Sequence, residues 1–443
     1  MAVHMNLTDR PLLRLFTLCI LYVAQGIPYG FVTVTLAAYL AEQGMSVGKI
    51  GGLVAMGTLP WTFKWIWGPL IDRFGIPSMG RRRPWILLAQ CGMIVTIAIM
   101  AFVPSMTESI VLVGWMVFAH NVFNSLQDVS VDALAVDLLR EEERGRVSGF
   151  MYGAKYFGMF LGGAVLSRVL EHGGLATVFF WQTTMLAGIL LLPLLLRERA
   201  GERLLPWTKG AVQLKQSEQL ATSAMLLFQR LARAFSLRST IFAGIIGLTM
   251  FIASGALGPV MQVLLLQDLG WDRVALTDID GGYGVFLGIA GAVFGGVLAD
   301  AFGAKRIIAV GAIGLGLCYI TFALMSPDIA PAGWISWHSG AAVTTYILAS
   351  TFLGTLVTAA LFSMYMTVSW PVVAGTQFTA YMAILNLSTT TGQWLAGPIE
   401  SLGIVTAFLL FGCFQIATVA LLPCINIHQT RLVLGSASPD SES

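Results

Sequence analysis

Hydrophobic residues fall along this chain in twelve blocks, at 12–40, 48–72, 84–104, 109–139, 146–170, 175–196, 239–266, 275–300, 305–326, 342–368, 376–399 and 402–424. About twenty apolar residues in a helix cover the hydrocarbon core of a bilayer, so each block predicts one spanning helix. The blocks are called spans 1 to 12 in chain order. Six precede a polar interruption at 197–238 and six follow it. A stretch rich in Pro, Trp and Ser, 327–341, is a candidate re-entrant segment that would change the count by one. The expected fold is an all-α membrane protein of twelve transmembrane helices in two pseudo-symmetric six-helix bundles. The bundles take residues 1–196 and 239–428, joined by a linker at 197–238 and followed by a disordered tail at 429–443.

The linker carries a pattern of its own. Leu220, Ala224, Leu227, Phe228, Leu231 and Phe235 share one helical face, with Lys215, Arg230 and Arg233 elsewhere. Such an amphipathic helix suits the cytoplasmic leaflet of a membrane; a loop shielding its apolar face against the protein has the same pattern.

Composition agrees with the blocks. The chain has 443 residues, 56% hydrophobic and 11% charged, with a mean hydropathy of +0.79. Soluble domains carry nearer a quarter of charged residues. The five cysteines, Cys19, Cys91, Cys318, Cys413 and Cys424, lie scattered in apolar runs and read as small hydrophobes, not as a metal site or disulfide framework. The first apolar run is too long for a signal peptide and has no convincing cleavage site. Net charge is only +2, but its placement is informative. With both termini in the cytoplasm, Arg10, Arg14, Arg73, Arg81 to Arg83, Arg140 to Arg146, Lys305, Arg306 and Arg431 lie inside. The outer connections then keep almost only Lys49 and Arg273, as the positive-inside rule requires.

Polar residues inside the spans are the candidate chemistry. In span 4, Asn121, Asn124, Asp128 and Asp132 follow one another at steps of three, four and four, which puts them on one helical face. A carboxylate in the membrane is costly unless it faces a partner or water, so it is a functional candidate by default. Counting about 1.5 Å per residue, Asp128 lies about 16 Å deep, Lys155 about 15 Å and Lys64 about 12 Å from the same surface. Gln25, beside Gly26 and Pro28, falls near mid-membrane. Two lysines and two aspartates therefore sit at one level in the first half, and their formal charges cancel. Asp128 reads as a proton-coupling site, as a static ion-pair partner of Lys155 or Lys64, or as a helix–helix hydrogen bond; Asp132, nearer the cytoplasm, is a weaker coupling candidate. Lys64 and Lys155 also suit an anionic group of a solute, with Gln25, Asn121 and Asn124 beside them. In the second half, Tyr283, Tyr365, Trp370, Asn386, Gln393 and Trp394 are candidate cavity-lining residues, although most aromatics in membrane helices serve packing or the interface. His120 is off the stripe and reads as packing.

The two halves repeat. Gly68-Pro-Leu-Ile-Asp72-Arg73-Phe-Gly75, followed by Arg81-Arg82-Arg83, closes span 2; Gly296-Val-Leu-Ala-Asp300-Ala-Phe-Gly303-Ala-Lys305-Arg306 closes span 8. Residues 144–150 are echoed more weakly at 374–380. Parallel repeats of six spans suit an architecture of two rocking bundles. At the positions matching Lys64, Asp128 and Asp132, the second half has Ala292, Thr358 and Phe362.

This doubled motif resembles the helix 2–3 signature of the major facilitator superfamily. The resemblance implies a latch that holds the outward-open state through Asp72, Arg73 and Asp300, with Arg81, Arg82, Arg83, Arg144, Lys305 and Arg306 as gating candidates. Ala301 replaces the arginine in the second copy, which implies a weaker latch there. The bland reading is that these residues only satisfy helix ends and topology. Gly80-Arg81-Arg82-Arg83-Pro84-Trp85 with Gln90, Gln127-Asp128-Val-Ser-Val-Asp132-Ala133, Asp137 and Glu142-Glu143-Arg144-Gly145 are similar to the AmpG-like group within that superfamily. This group comprises muropeptide permeases, siderophore-uptake permeases and acetyl-coenzyme A transporters. The likeness is concentrated in residues 15–165.

The resemblance implies a proton-coupled importer of a bulky polar solute, muropeptide-like or siderophore-like, in the bacterial inner membrane. A facilitator or exchanger of an anionic, acyl-coenzyme A-like metabolite is the alternative within transport. A non-transporting sensor or scaffold on the same fold is the alternative outside it. Enzyme readings fail: Gly44-Met-Ser-Val-Gly48-Lys49 lacks phosphate-loop spacing, and no serine-hydrolase, zinc-protease or paired-cysteine motif occurs. The expected partners are the solute, protons and membrane lipids, with no nucleic acid, cofactor or metal, acting as a monomer.

Overall fold

The structure is a computed structural model; it describes residues 6–208, 224–331 and 333–435. The apolar blocks become helices close to their expected ends, because a backbone in hydrocarbon must bond to itself. Span 1 is Pro11–Glu42. Span 2 is broken into Val47–Thr62 and Trp67–Arg73 by a 3-10 turn at Lys64–Ile66. Spans 3 and 4 are Arg83–Met100 and Ile110–Leu138. Spans 5 and 6 run through Arg146–Leu195 and part at Gly174, whose φ of 70° lies in the left-handed region that glycine tolerates. Spans 7 to 11 are Arg238–Asp268, Arg273–Phe302, Ala304–Leu324, Gly340–Val368 and Ala374–Glu400. Span 12 is Ile404–Ala417, continued by Thr418–Cys424.

The stretch at 327–341 does not re-enter the membrane as a helix. Its described residues form turns that lead into span 10, and the indole of Trp337 donates to the carbonyl of Phe322 at 2.7 Å. In the linker, Ala224–Phe235 is helical, while the sequence from Leu214 to Ser223 lies outside the described residues. The end of this helix packs on protein: Leu231 and Ala234 meet Trp370 and Val373, and Phe235 meets the ring of Tyr381. Phe228 stays exposed. The tail expected to be disordered from residue 429 instead begins with a helix, Gln429–Leu434. It is tied down because Gln429 accepts from the Ser239 amide and the buried Thr430 donates to the Val368 carbonyl.

The chain forms two compact units, and they do not follow a simple six-and-six division. The first takes Met1–Leu36 and Phe63–Ala221; the second takes Ala37–Thr62 and Thr222–Ser443. Each crossing point sits at a helix irregularity. Span 1 changes unit just after a π-helical turn at Phe31–Leu36, and span 2 at Phe63, just before its 3-10 turn. Pro60 prepares the second break, since it cannot donate the amide that a continuous helix needs.

In the first unit, spans 1 and 5 touch backbone to backbone. A Cβ on Gly26 would strike the Lys155 carbonyl, and one on Gly158 the Val23 carbonyl. These glycines bring Lys155 up against span 1. In the second unit, the first part of span 2 packs along span 11, where Gly48 faces Gly397 and Gly51 faces Gln393.

Candidate functional site

The polar stripe of span 4 points into the first unit. Asn121, Asn124 and Asp128 are all buried, and Asp132 is partly so. Lys64 stands first in the 3-10 turn that interrupts span 2, and its Nζ lies 3.1 Å from Asp128 Oδ2, with both side chains buried. Lys155 lies within electrostatic reach of Asp128, Asp132 and Lys64. One turn further along span 4, the Asp132 carboxylate accepts from the Tyr22 hydroxyl. Tyr22 packs edge-on against Tyr152, with ring centroids 5.8 Å apart. Of the four charges expected at one level, Lys64 and Asp128 form an ion pair. The sequence reading missed Tyr22, although it shares a face of span 1 with Gln25, three residues on.

Beside the charges runs a ladder of amides. Gln90 donates to Gln127 (3.3 Å), Gln127 to the Leu21 carbonyl (2.8 Å) and Asn124 to the Gln25 carbonyl (3.4 Å). The Gln25 side chain is fully buried with neither amide atom partnered, and Asn124 Oδ1 is likewise unpaired. Such atoms are costly in a dry interior. His120 is buried packing, held by Thr96.

In the second unit, neutral groups meet where span 2 packs along span 11. Thr58 donates to Gln393 (2.6 Å) and lies 2.9 Å from the Thr390 hydroxyl, while Asn386 donates to the Trp61 carbonyl (3.3 Å). Tyr365 is enclosed in the core, stacked on Tyr381 and bonded to the Ala243 carbonyl. Trp370 is buried too, whereas Tyr283 and Trp394 are exposed.

The basic end of the first unit is a dense knot. Asp72 accepts from Arg81 (3.0 Å) and Arg82 (2.6 Å), and Arg82 also reaches Asp137 (2.8 Å). Arg73 instead lies over the Phe74 ring. Arg83 is buried, donating to backbone carbonyls of Pro193, Leu194, Arg203 and Leu204. A residue outside the expected set organises this knot. Glu198, at the start of the linker, accepts from the backbone amides of Arg81, Arg82 and Arg83, and so caps span 3. Its sequence signal was slight: one acid among the arginines that follow span 6. Burial pushes the Glu198 carboxyl above its ordinary range. Burial, then the nearby Glu198 charge, push Glu202 up to about 7. At the repeat-related end of the second unit, Asp300 is exposed, and Lys305 donates to the Ile425 carbonyl at 2.8 Å. Arg144 lies on the helix Glu141–Phe160, with its side chain outside the description.

Residues 18–254 match the family profile of the Major Facilitator Superfamily. Two solved structures share the fold: the D-xylose-proton symporter (TM-score 0.70, 13% identity, covering 94% of this chain and 99% of that one) and the nucleoside transporter NupG (TM-score 0.69, 12% identity, 93% and 100%). The chain belongs to the major facilitator superfamily and is a multi-pass membrane transporter of a small-molecule solute, not an enzyme. Within the superfamily it falls in the AmpG-like permease group. It is 25% identical over 386 residues to the anhydromuropeptide permease of Escherichia coli (strain K12), covering 86% of this chain and 72% of that protein. It is 24% identical over 353 residues to a Rickettsia prowazekii (strain Madrid E) protein provisionally described as transporter AmpG 3, covering 78% and 80%.

Proposed function

We propose that this chain is a proton-coupled importer of a bulky polar solute, muropeptide-like or siderophore-like, in the bacterial inner membrane with both termini cytoplasmic. The observation that carries this reading is the buried Lys64–Asp128 pair, with Lys155 and Asp132 in electrostatic reach. Two cations and two carboxylates offer a neutral cluster with an exchange built into it. A proton taken by Asp128 releases Lys64, and an anionic group drawn to Lys64 or Lys155 releases Asp128 to take a proton. Asp132, held by Tyr22, is the second acceptor of the cluster. Gln25, with its unpaired amide, and Asn121 and Asn124 are the neutral contacts for the solute. The solute class rests on the relative named a permease of anhydromuropeptides. In the second unit Tyr283, Tyr365, Asn386 and Gln393 are the corresponding candidates; Tyr283 is the most accessible of them.

For gating, Asp72 with Arg81 and Arg82 forms the latch of the first repeat, Arg73 and Arg144 flank it, and Arg83 anchors the linker. Asp300, Lys305 and Arg306 form the looser second copy. The protein acts as a monomer among lipids, with Phe228 of the linker helix available to the membrane surface. The two lysines also favour a second reading, a facilitator or exchanger of an anionic acyl-coenzyme A-like metabolite.

Uptake into proteoliposomes, with and without a pH gradient, separates these readings. Muropeptide or ferric-siderophore uptake is expected to rise with an inward proton gradient, and Asp128→Asn to reduce that rise at least ~10-fold, the scale of a lost ~1.4 kcal/mol interaction or more. Gradient-driven uptake that survives Asp128→Asn removes the coupling role. Uptake indifferent to the gradient favours the exchanger, and no uptake of any of the three solute classes favours a sensor or scaffold.

A further inference from the structure

Asp72 gathers the side chains of Arg81 and Arg82, but the backbone that aims those side chains is fixed from the linker. Glu198 Oε2 accepts from the Arg81 amide at 3.0 Å, and Oε1 accepts from the Arg82 amide at 2.7 Å and from the Arg83 amide. Its side chain is buried. Gly80 makes the seat possible: its φ of 102° is one that glycine tolerates, and a Cβ there would stand 2.7 Å from the Glu198 carboxyl carbon. Amides at the start of a helix lack partners within it, and an anion there also meets the positive end of the helix dipole. A serine or aspartate beside span 3 would supply a cap locally. Here the cap comes from 116 residues beyond Arg82, so it also ties the loop between spans 2 and 3 to the linker.

Glu198 is in turn held from its other side. Asn6 and Arg197 form a parallel β-bridge, and the Leu7 amide donates to the Arg197 carbonyl at 2.9 Å. Thr8 donates to the Glu198 carbonyl twice, from its amide at 3.1 Å and from its hydroxyl at 2.8 Å. Leu7 is buried in one cluster with Leu139, Val147 and Leu196. Arg14 closes the strap by donating to the Thr8 carbonyl (3.3 Å) and to Glu143 (3.0 Å). On the loop side, the Arg203 amide donates to the Ser78 carbonyl at 2.6 Å. The segment before span 1, the start of the linker and the loop between spans 2 and 3 are thus one interlock. Capping span 3 requires none of that strap.

We propose that Glu198, held by the strap Asn6–Asp9, is a positioning residue of the latch: it turns Arg81 and Arg82 toward Asp72, so that displacing the start of the linker releases them. This rests on the gating role read for Asp72 above, and adds that the latch is set from the linker.

Phenylglyoxal tests it, because it modifies free guanidinium groups faster than those held in ion pairs. The full-length protein in proteoliposomes is treated and mapped by peptide mass spectrometry. Glu198→Gln is expected to raise modification of Arg82 several-fold, to the level of Asp72→Asn, with no further rise in the double variant. Glu198→Asp, which keeps a carboxylate, retains most of the protection. Thr8→Pro, which removes both bonds to the Glu198 carbonyl, moves Arg82 in the same direction by a smaller factor, and decides the matter if Glu198→Gln does not fold. Hydrogen exchange reads the cap itself: the amides of residues 81–83 exchange at least ~10-fold faster in Glu198→Gln and stay protected in Asp72→Asn. The effects of Glu198→Gln and Asp72→Asn on muropeptide uptake are expected not to add. The proposal is overturned if Arg82 keeps its wild-type reactivity while those amides exchange faster, which leaves Glu198 a helix cap alone, or if the two effects on uptake add in full. If Asp72→Asn leaves uptake unchanged, the gating reading fails and the proposal falls with it, a failure told apart by an arginine pattern that stays as expected.

Discussion

The two repeats close on the same motif but are held differently. In the first, ions are paired at both levels: Lys64 with Asp128 in the membrane, and Asp72 with Arg81 and Arg82 at the basic end. In the second, Ala292, Thr358 and Phe362 stand where the charges would be, and Lys305 donates to a carbonyl. The second copy lacks more than the arginine after its aspartate. Positions 309–311, Ala309, Val310 and Gly311, replace the triple arginine that clamps the first. At these matched positions the two halves therefore divide labour, the first holding charge and the second neutral side chains.

Substitutions that unbalance the charged half have the largest expected effect. Lys64→Ala leaves the Asp128 carboxylate buried without that partner, and the protein is expected to lose ~3–5 kcal/mol of stability. Denaturant midpoints in detergent check this, and the double change Lys64→Met with Asp128→Leu should recover most of the loss. Placing a charge in the neutral half comes next. Thr358→Asp, at the position matching Asp128, adds an unpaired carboxylate to span 10 and is expected to cost ~2.5–3.5 kcal/mol or reduce membrane insertion. If it is harmless, the second half is not a dry environment. The ends of the repeats differ less. Arg82→Ala, which breaks two charged hydrogen bonds, should cost ~1.5–3 kcal/mol, against ~1 kcal/mol or less for Lys305→Ala.

The smallest effect concerns pH. Glu202 is nearly buried, and its carboxyl is pushed up to about 7 from an ordinary value near 4.5. The folded protein thus holds a proton that the unfolded chain has already released, so stability falls as pH rises from about 4.5 to about 7. Glu202→Gln should flatten that part of a melting-temperature profile and raise the melting temperature at neutral pH.

The spans were legible because a bilayer demands long apolar runs and little else. Asp128, Lys64 and Lys155 were legible for the converse reason, since charge within such runs stands out. Their common level followed from helical rise alone. What stayed hidden depends on partners far apart in sequence. Glu198 caps span 3 from the linker, Tyr22 meets Asp132 across 110 residues, and Tyr365 turns into the core instead of a cavity. The break at Phe63 was half visible in Pro60. The packing of the segment Ala37–Thr62 with the second unit was not visible at all.

That shared segment bears on how the chain may be cut. A fragment ending inside the linker would carry residues 37–62 with Gly48 and Gly51 facing lipid, and Thr58 would have no Gln393 to bond. The complementary fragment would expose the matching groove along span 11. Neither piece would be a finished solubilisation unit on its own, and co-expressed pieces would have to reassemble through that seam before either resisted proteolysis.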